Sequence, residues 1–176
     1  MEHLPADFAK AVVRVIEPGE EAAVAEVIEA ATLLDDEELR ILAEITDWMK
    51  VNDQAIHATR PWRFSGASPG GKKPATGETN FNEKDRRELT SDDVRFTTKG
   101  DALFAFVMGV PEKFATIAGL GKSGKLGAGK ILQVELLGSP GKIDWRQDED
   151  DLRVQLPESK PSKHALAFKI FGAIQP

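Results

Sequence analysis

The sequence has no cysteine, only three histidines and no long apolar run, and each shortage removes a class of protein. Without cysteine there is neither a disulfide framework nor a thiolate zinc site. His3, His57 and His164 are far apart in sequence, so neither a metal centre nor a histidine-based nucleophile has support. No stretch approaches the roughly 18 continuous apolar residues of a membrane span, and the start MEHLPADF lacks the basic and apolar regions of a secretory signal. The sequence as written is therefore expected in the cytoplasm, with no membrane partner. Clustered basic charge is also missing. Residues 1–55 carry 14 acidic and 4 basic side chains, a balance of −10, while residues 56–176 balance at +4, spread along the chain. Phosphates reward gathered lysine and arginine, so nucleic acid is not an expected partner.

What is present suffices for a globular core. At 176 residues, with 41% apolar and 30% charged content, the chain can bury most of its unfolded surface without metal or disulfides. The length is also too short for a complete (β/α)8 barrel, which takes about 250 residues.

The first 55 residues read as a helical segment of about three helices. Ala6–Ile16 and Glu20–Thr32 each carry an apolar stripe at helical spacing, with Pro18 and Gly19 between them. In the third helix Asp35 and Glu38 form the pattern of a capping box, and Leu39, Leu42, Ile45 and Met49 make one stripe that should end near Asn52. Residues 56–92 read as linker and loop, with four glycines and two prolines between Ser65 and Glu78. Residues 93–176 then read as an antiparallel β-sandwich, so the whole chain is expected to be mainly β. Seven short runs support this: 93–98, 102–109, 113–118, 131–137, 142–146, 151–156 and 164–171. Leu103–Met108 is apolar on both faces, as a central strand is. Residues 142–146 and 151–156 alternate, placing Ile143, Trp145, Leu152, Val154 and Leu156 inside and Asp144, Arg146, Arg153 and Gln155 toward water. An Asp144–Arg153 pair is expected across that hairpin.

Several patterns suggest chemistry and fail on context. Gly119, Gly121 and Gly124 match G-x-G-x-x-G, but Leu126 stands where a phosphate loop needs Ser or Thr, and no helix follows; a hairpin loop is the better reading. Asp148–Asp151 is acidic without the alternating ligand spacing and central glycine of a calcium loop. No metal or other cofactor is expected. Glycoside hydrolysis needs two carboxylates at a set separation, and no pair here is marked by an apolar neighbourhood. Trp145 is assigned to the core by its strand pattern. Trp62, flanked by Pro61, Arg60 and Arg63, is either a sugar platform or a pin between linker and sheet.

Residues 47–62, DWMKVNDQAIHATRPW, closely resemble the stretch W-x-x-V-N-G-E-A-I-Y-G-T-R-P-W of α-L-fucosidases of glycoside hydrolase family 29. Residues 93–111, DVRFTTKGDALFAFVMGVP, are similar to that family's D-I-R-F-T-T-K … L-Y-A-I-V-L-G-W-P strand pair, and VELLGS at 134–139, IDWRQD at 143–148 and Leu156-Pro157 look like its later strands. The resemblance runs collinearly from about Asp35 to Gly172. It implies the family's C-terminal β-sandwich preceded by the last barrel helix. The sequence departs from the pattern at Asp53-Gln54, where the family usually has Gly-Glu, and at His57-Ala58, where it has Tyr-Gly. Residues 1–34 show no match. The family's nucleophilic Asp and acid/base Glu lie in the barrel, upstream of everything matched, so no residue here inherits their roles.

Two functional readings follow. The first is a truncated fucosidase-like protein, a carbohydrate-associated module without the catalytic barrel, with His57, Arg60 and Trp62 as its ligand-binding candidates. The alternative is a minimal glycosidase acting on small glycosides through a rearranged carboxylate site. Expected partners are a carbohydrate or small glycoside and, to cover the sandwich face that a barrel would occupy, a second copy or a separate barrel-bearing chain.

Overall fold

The computed structural model describes residues 35–67, 88–124, 126 and 128–174. The helices expected at 6–16 and 20–32, and most of the glycine-rich loop, lie outside the described residues. The chain divides into two compact units, Met1–Lys50 and Val51–Pro176.

Helix α1 spans Asp36–Ile56 and begins with the expected capping box. The Glu38 amide donates to Asp35 Oδ1 at 2.9 Å, and the Asp35 amide donates to Glu38 Oε2 at 3.0 Å, which satisfies two end amides reciprocally. On the exposed side, Arg40 reaches Glu37 at 2.6 Å and Glu44 at 2.5 Å, and its guanidinium holds the Glu37 carboxyl below the usual carboxylate range. Solvent screening leaves such pairs little stabilising effect. The helix runs one turn past the expected stop at Asn52. Ala58, with φ of 56°, turns the chain away after the helix. The resemblance places glycine at this position, and the left-handed conformation explains why: a Cβ there meets the following carbonyl.

Among the described residues of the second unit, eight strands form two antiparallel sheets. The five-stranded sheet has the order β1-β2-β3-β8-β5, with β1 Arg60–Ala67, β2 Val94–Lys99, β3 Ala102–Val107, β8 Leu166–Phe171 and β5 Gln133–Leu136. The three-stranded sheet has the order β4-β7-β6, with β4 Phe114–Ala118, β7 Asp151–Gln155 and β6 Trp145–Gln147. Their inward residues form one core: Val94, Phe96, Leu103, Ala105, Phe168 and Ile170 from the first sheet, and Ala115, Ile117, Leu152 and Val154 from the second. Strand β1 is the correction to the sequence reading, since it lies inside the stretch taken as linker. Pro61 and Gly66 disguise it. A proline is tolerated there because β1 is an edge strand, and its register with β2 shifts between Pro61 and Gly66.

Strand β3 is buried along its whole length, as its apolar pattern predicts. Leu103, Ala105 and Val107 face the core. Phe104, opposite Thr97 in the ladder, faces the other way and is still only 1% exposed. The last turns of α1 come to this outer face: Thr97 Oγ1 donates to the Ala55 carbonyl at 2.8 Å, Lys99 Nζ to the His57 carbonyl at 3.2 Å and Lys169 Nζ to Gln54 Oε1 at 3.3 Å. The first two satisfy backbone carbonyls that a helix end otherwise leaves to water. Gly138, at φ of 77°, completes the seat, because a Cβ there would lie 2.5 Å from Val51 Cγ1.

Two stability changes follow. Ala58→Gly should raise unfolding free energy in urea by about 1 kcal/mol, less the entropy that glycine adds to the unfolded chain. Gly138→Ala should cost about 1–3 kcal/mol, and adding Val51→Ala should recover part of it; strictly additive effects in the double variant would show that the two positions do not meet.

Candidate functional site

His57, Arg60 and Trp62 sit in unlike surroundings. His57 is exposed just beyond α1, and its carbonyl is taken by Lys99. Arg60 is exposed at the start of β1, with its carbonyl accepting from Thr98 Oγ1 at 3.3 Å. Trp62 belongs to the core at 9% exposure, edge-on to Phe96 at 5.2 Å and to Phe64 at 5.4 Å, with the Arg63 guanidinium 5.5 Å from its ring centre. A ring held in this way pins β1 to the sheet and offers no open face. None of the three lines either of the two cavities described below.

The glycine-rich turn is filled by its own chain. The amides of Gly121, Lys122 and Ser123 donate to the carbonyls of Asp150, Asp148 and Glu149 at 3.0, 2.9 and 2.7 Å, and the Gly119 amide donates to Asp151 Oδ1 at 3.1 Å. Amides so occupied cannot cradle a phosphate. The acidic run is thereby a backbone partner for the opposite loop, and among the described residues no cluster of His, Asp and Glu could hold a metal ion.

Two cavities flank Trp145, which is half-buried against the core. One, of about 660 Å³, runs along β5 and is lined by Gln54, Gln133, Glu135, Ser139, Lys142 and Trp145 among others. The other, of about 390 Å³, opens over the three-stranded sheet and is lined by Phe114, Asp144, Trp145, Arg146, Arg153 and Gln155. Each holds a single carboxylate among the described residues, Glu135 in the first and Asp144 in the second. Neither supplies the pair that glycoside hydrolysis needs.

The smaller cavity has the more distinctive chemistry. Trp145 faces Val154 across the ladder, so Arg146 stands directly opposite Arg153, and the Gln155 amide donates to the Asp144 carbonyl at 2.8 Å. This register overturns the expected Asp144–Arg153 pair, because the two residues are diagonal rather than opposite. Arg146 Nε instead reaches Asp148 Oδ2 at 3.0 Å. The Arg153 guanidinium stacks over Phe114, 4.3 Å from the ring centre, and its Nε is buried without a hydrogen-bond partner. An unmatched buried donor of this kind costs about 1–3 kcal/mol. Sequence alternation marked Asp144, Arg146, Arg153 and Gln155 as a water-facing row, but only the register brings the two arginines together. A Cβ on Gly121 would come within 2.2 Å of the Asp150 backbone, so Gly121→Ala should cost about 1–3 kcal/mol in denaturant titration, and a nucleoside triphosphate should not shift the melting temperature of either protein.

Residues 86–171 match the family model described as the alpha-L-fucosidase C-terminal domain. Among solved structures, the chain is similar to Thermotoga maritima alpha-fucosidase, at 18% identity over 78% of this chain and 27% of that one, with a TM-score of 0.52. It is likewise similar to Thermotoga maritima alpha-L-fucosynthase, at 18% identity over 78% and 26% of the two chains, with a TM-score of 0.51. The chain thus spans about a quarter of the length of these structures. Among curated proteins, none matches. At this identity the structures speak for the fold alone, and that fold agrees with the family match over residues 86–171.

Proposed function

We infer that this chain is a fucosidase-like, carbohydrate-associated β-sandwich module that carries out no glycoside chemistry itself and works beside a catalytic barrel supplied from outside these residues. The family match over residues 86–171 carries the reading. Two further features support it. The cavities beside Trp145 combine an aromatic wall with amide, carboxylate and cationic groups, the mixture that sugar hydroxyls and C–H faces use, and their volumes of about 390 and 660 Å³ suit small-molecule sites. The single carboxylate in each cavity gives the minimal-glycosidase alternative no observation in its favour.

The test has two arms. Purified protein should not release nitrophenol from a panel of nitrophenyl glycosides, α-L-fucoside included. In amide NMR titrations, fucose- or galactose-containing oligosaccharides should shift resonances around Trp145. Turnover that disappears on substitution of one carboxylate would overturn the non-catalytic reading, and flat titrations with every sugar would overturn the association with carbohydrate.

A further inference from the structure

We propose that the cavity over the three-stranded sheet binds an acidic saccharide, with a uronate carboxylate or a sulfate ester held between Arg146 and Arg153 and the sugar ring against Phe114. The proposal rests on the carbohydrate-associated reading for the sugar and on the cavity's own geometry for the charge.

The charge argument begins with the ladder. Like charges directly opposite on neighbouring strands destabilise a sheet, yet Arg146 and Arg153 occupy such a position on β6 and β7. Arg146 is neutralised only in part, through one nitrogen, by an exposed contact with Asp148. Arg153 has no acceptor at all among the described residues, and its Nε is sealed from solvent. Packing on Phe114 fixes the guanidinium in place and occupies one of its faces. What its two terminal nitrogens still lack is an oxyanion in the guanidinium plane, which they can bind from the cavity through paired hydrogen bonds. The two arginines stand opposite in the ladder, with Cα atoms about 5 Å apart, and both line the one cavity, which lets a single anion meet both.

The rest of the cavity argues for a saccharide rather than a free ion. Asp144 lines it beside Gln155, and a carboxylate there repels an inorganic anion while accepting hydrogen bonds from hydroxyls. Gln155 adds an amide that both donates and accepts. Phe114, 41% exposed, offers the apolar surface against which a sugar's C–H face packs. A neutral sugar would use the hydroxyl end and leave the arginine pair unmatched. An inorganic anion would use the arginines and meet Asp144. Only a ligand with an oxyanion at one end and hydroxyls at the other uses all of these groups.

The proposal is tested by isothermal titration of the full chain with four probes: a galacturonic acid disaccharide, galactose 6-sulfate, galactose and inorganic sulfate. One or both acidic sugars should bind about tenfold more tightly than galactose and than sulfate, and which of the two binds identifies the anion's source. Arg153→Gln should weaken that binding about tenfold, and Arg153→Lys should fail to restore it because an ammonium lacks the fork. Asp144→Asn should strengthen it by removing a like charge. Since Arg153 is half-buried, the exposed Arg146→Gln serves as a second variant if Arg153→Gln misfolds, and it should also weaken binding. Equal affinity for galactose and the acidic sugars, or acidic-sugar binding that survives both arginine substitutions, would overturn the proposal while leaving the carbohydrate reading standing. Sulfate binding as tightly as galactose 6-sulfate would overturn the saccharide and leave a simple anion site. Binding by none of the sugars would remove both readings together.

Discussion

The structure depends on a six-residue strand that water does not reach from either side. β3 lies between β2 and β8, and every residue from Ala102 to Val107 is buried. A strand inside a two-layer sandwich normally needs cover on one face only, because its outer face meets solvent. Here Phe104 and Phe106 make the outer face apolar too, so the five-stranded sheet requires a third element. The last turns of α1 come to that face, fastened by Thr97 and Lys99 to the Ala55 and His57 carbonyls and by Lys169 to the Gln54 side chain. The route of the chain between helix and sheet follows from this, including the left-handed Ala58 and the close approach of Val51 to Gly138.

The other sheet obeys a different rule. Its inward residues join the same core, but its outward row is polar and charged, and among the described residues the Arg153 Nε has no hydrogen-bond partner. Hydrophobic burial of Leu152 and Val154 fixes the strand and leaves Arg153 no freedom to turn away, because successive side chains must alternate between faces. The core thus sets where the charge stands.

Some of this was legible in the sequence, for local reasons. The unbroken apolar run at Leu103–Met108 announces a strand covered on both sides, and the Asp35–Glu38 spacing announces a reciprocal cap; both signals sit within a few residues. Strand β1 was hidden because its proline and glycine read as loop chemistry, and only its place at the edge of the sheet makes them tolerable. The end of α1 was hidden because what fixes it is hydrogen bonding from a strand about 40 residues away, which no local pattern announces. Trp62 could be read as a platform or as a pin, and the choice needed its neighbours Phe64 and Phe96, which come from two strands. The arginine pair was beyond reach because alternation assigns a face but not a partner: Asp144 and Arg146 share a face, and only the ladder decides which of them meets Arg153.

Trp145 also gives the molecule an optical property. With no tyrosine in the chain, the indoles of Trp48, Trp62 and Trp145 dominate its fluorescence. These three indoles sit in unlike surroundings: Trp48 on the helix, Trp62 within the core and Trp145 in the wall common to both cavities. An occupant of either cavity therefore perturbs one chromophore of three, so the protein carries its own reporter at the place where its chemistry is concentrated.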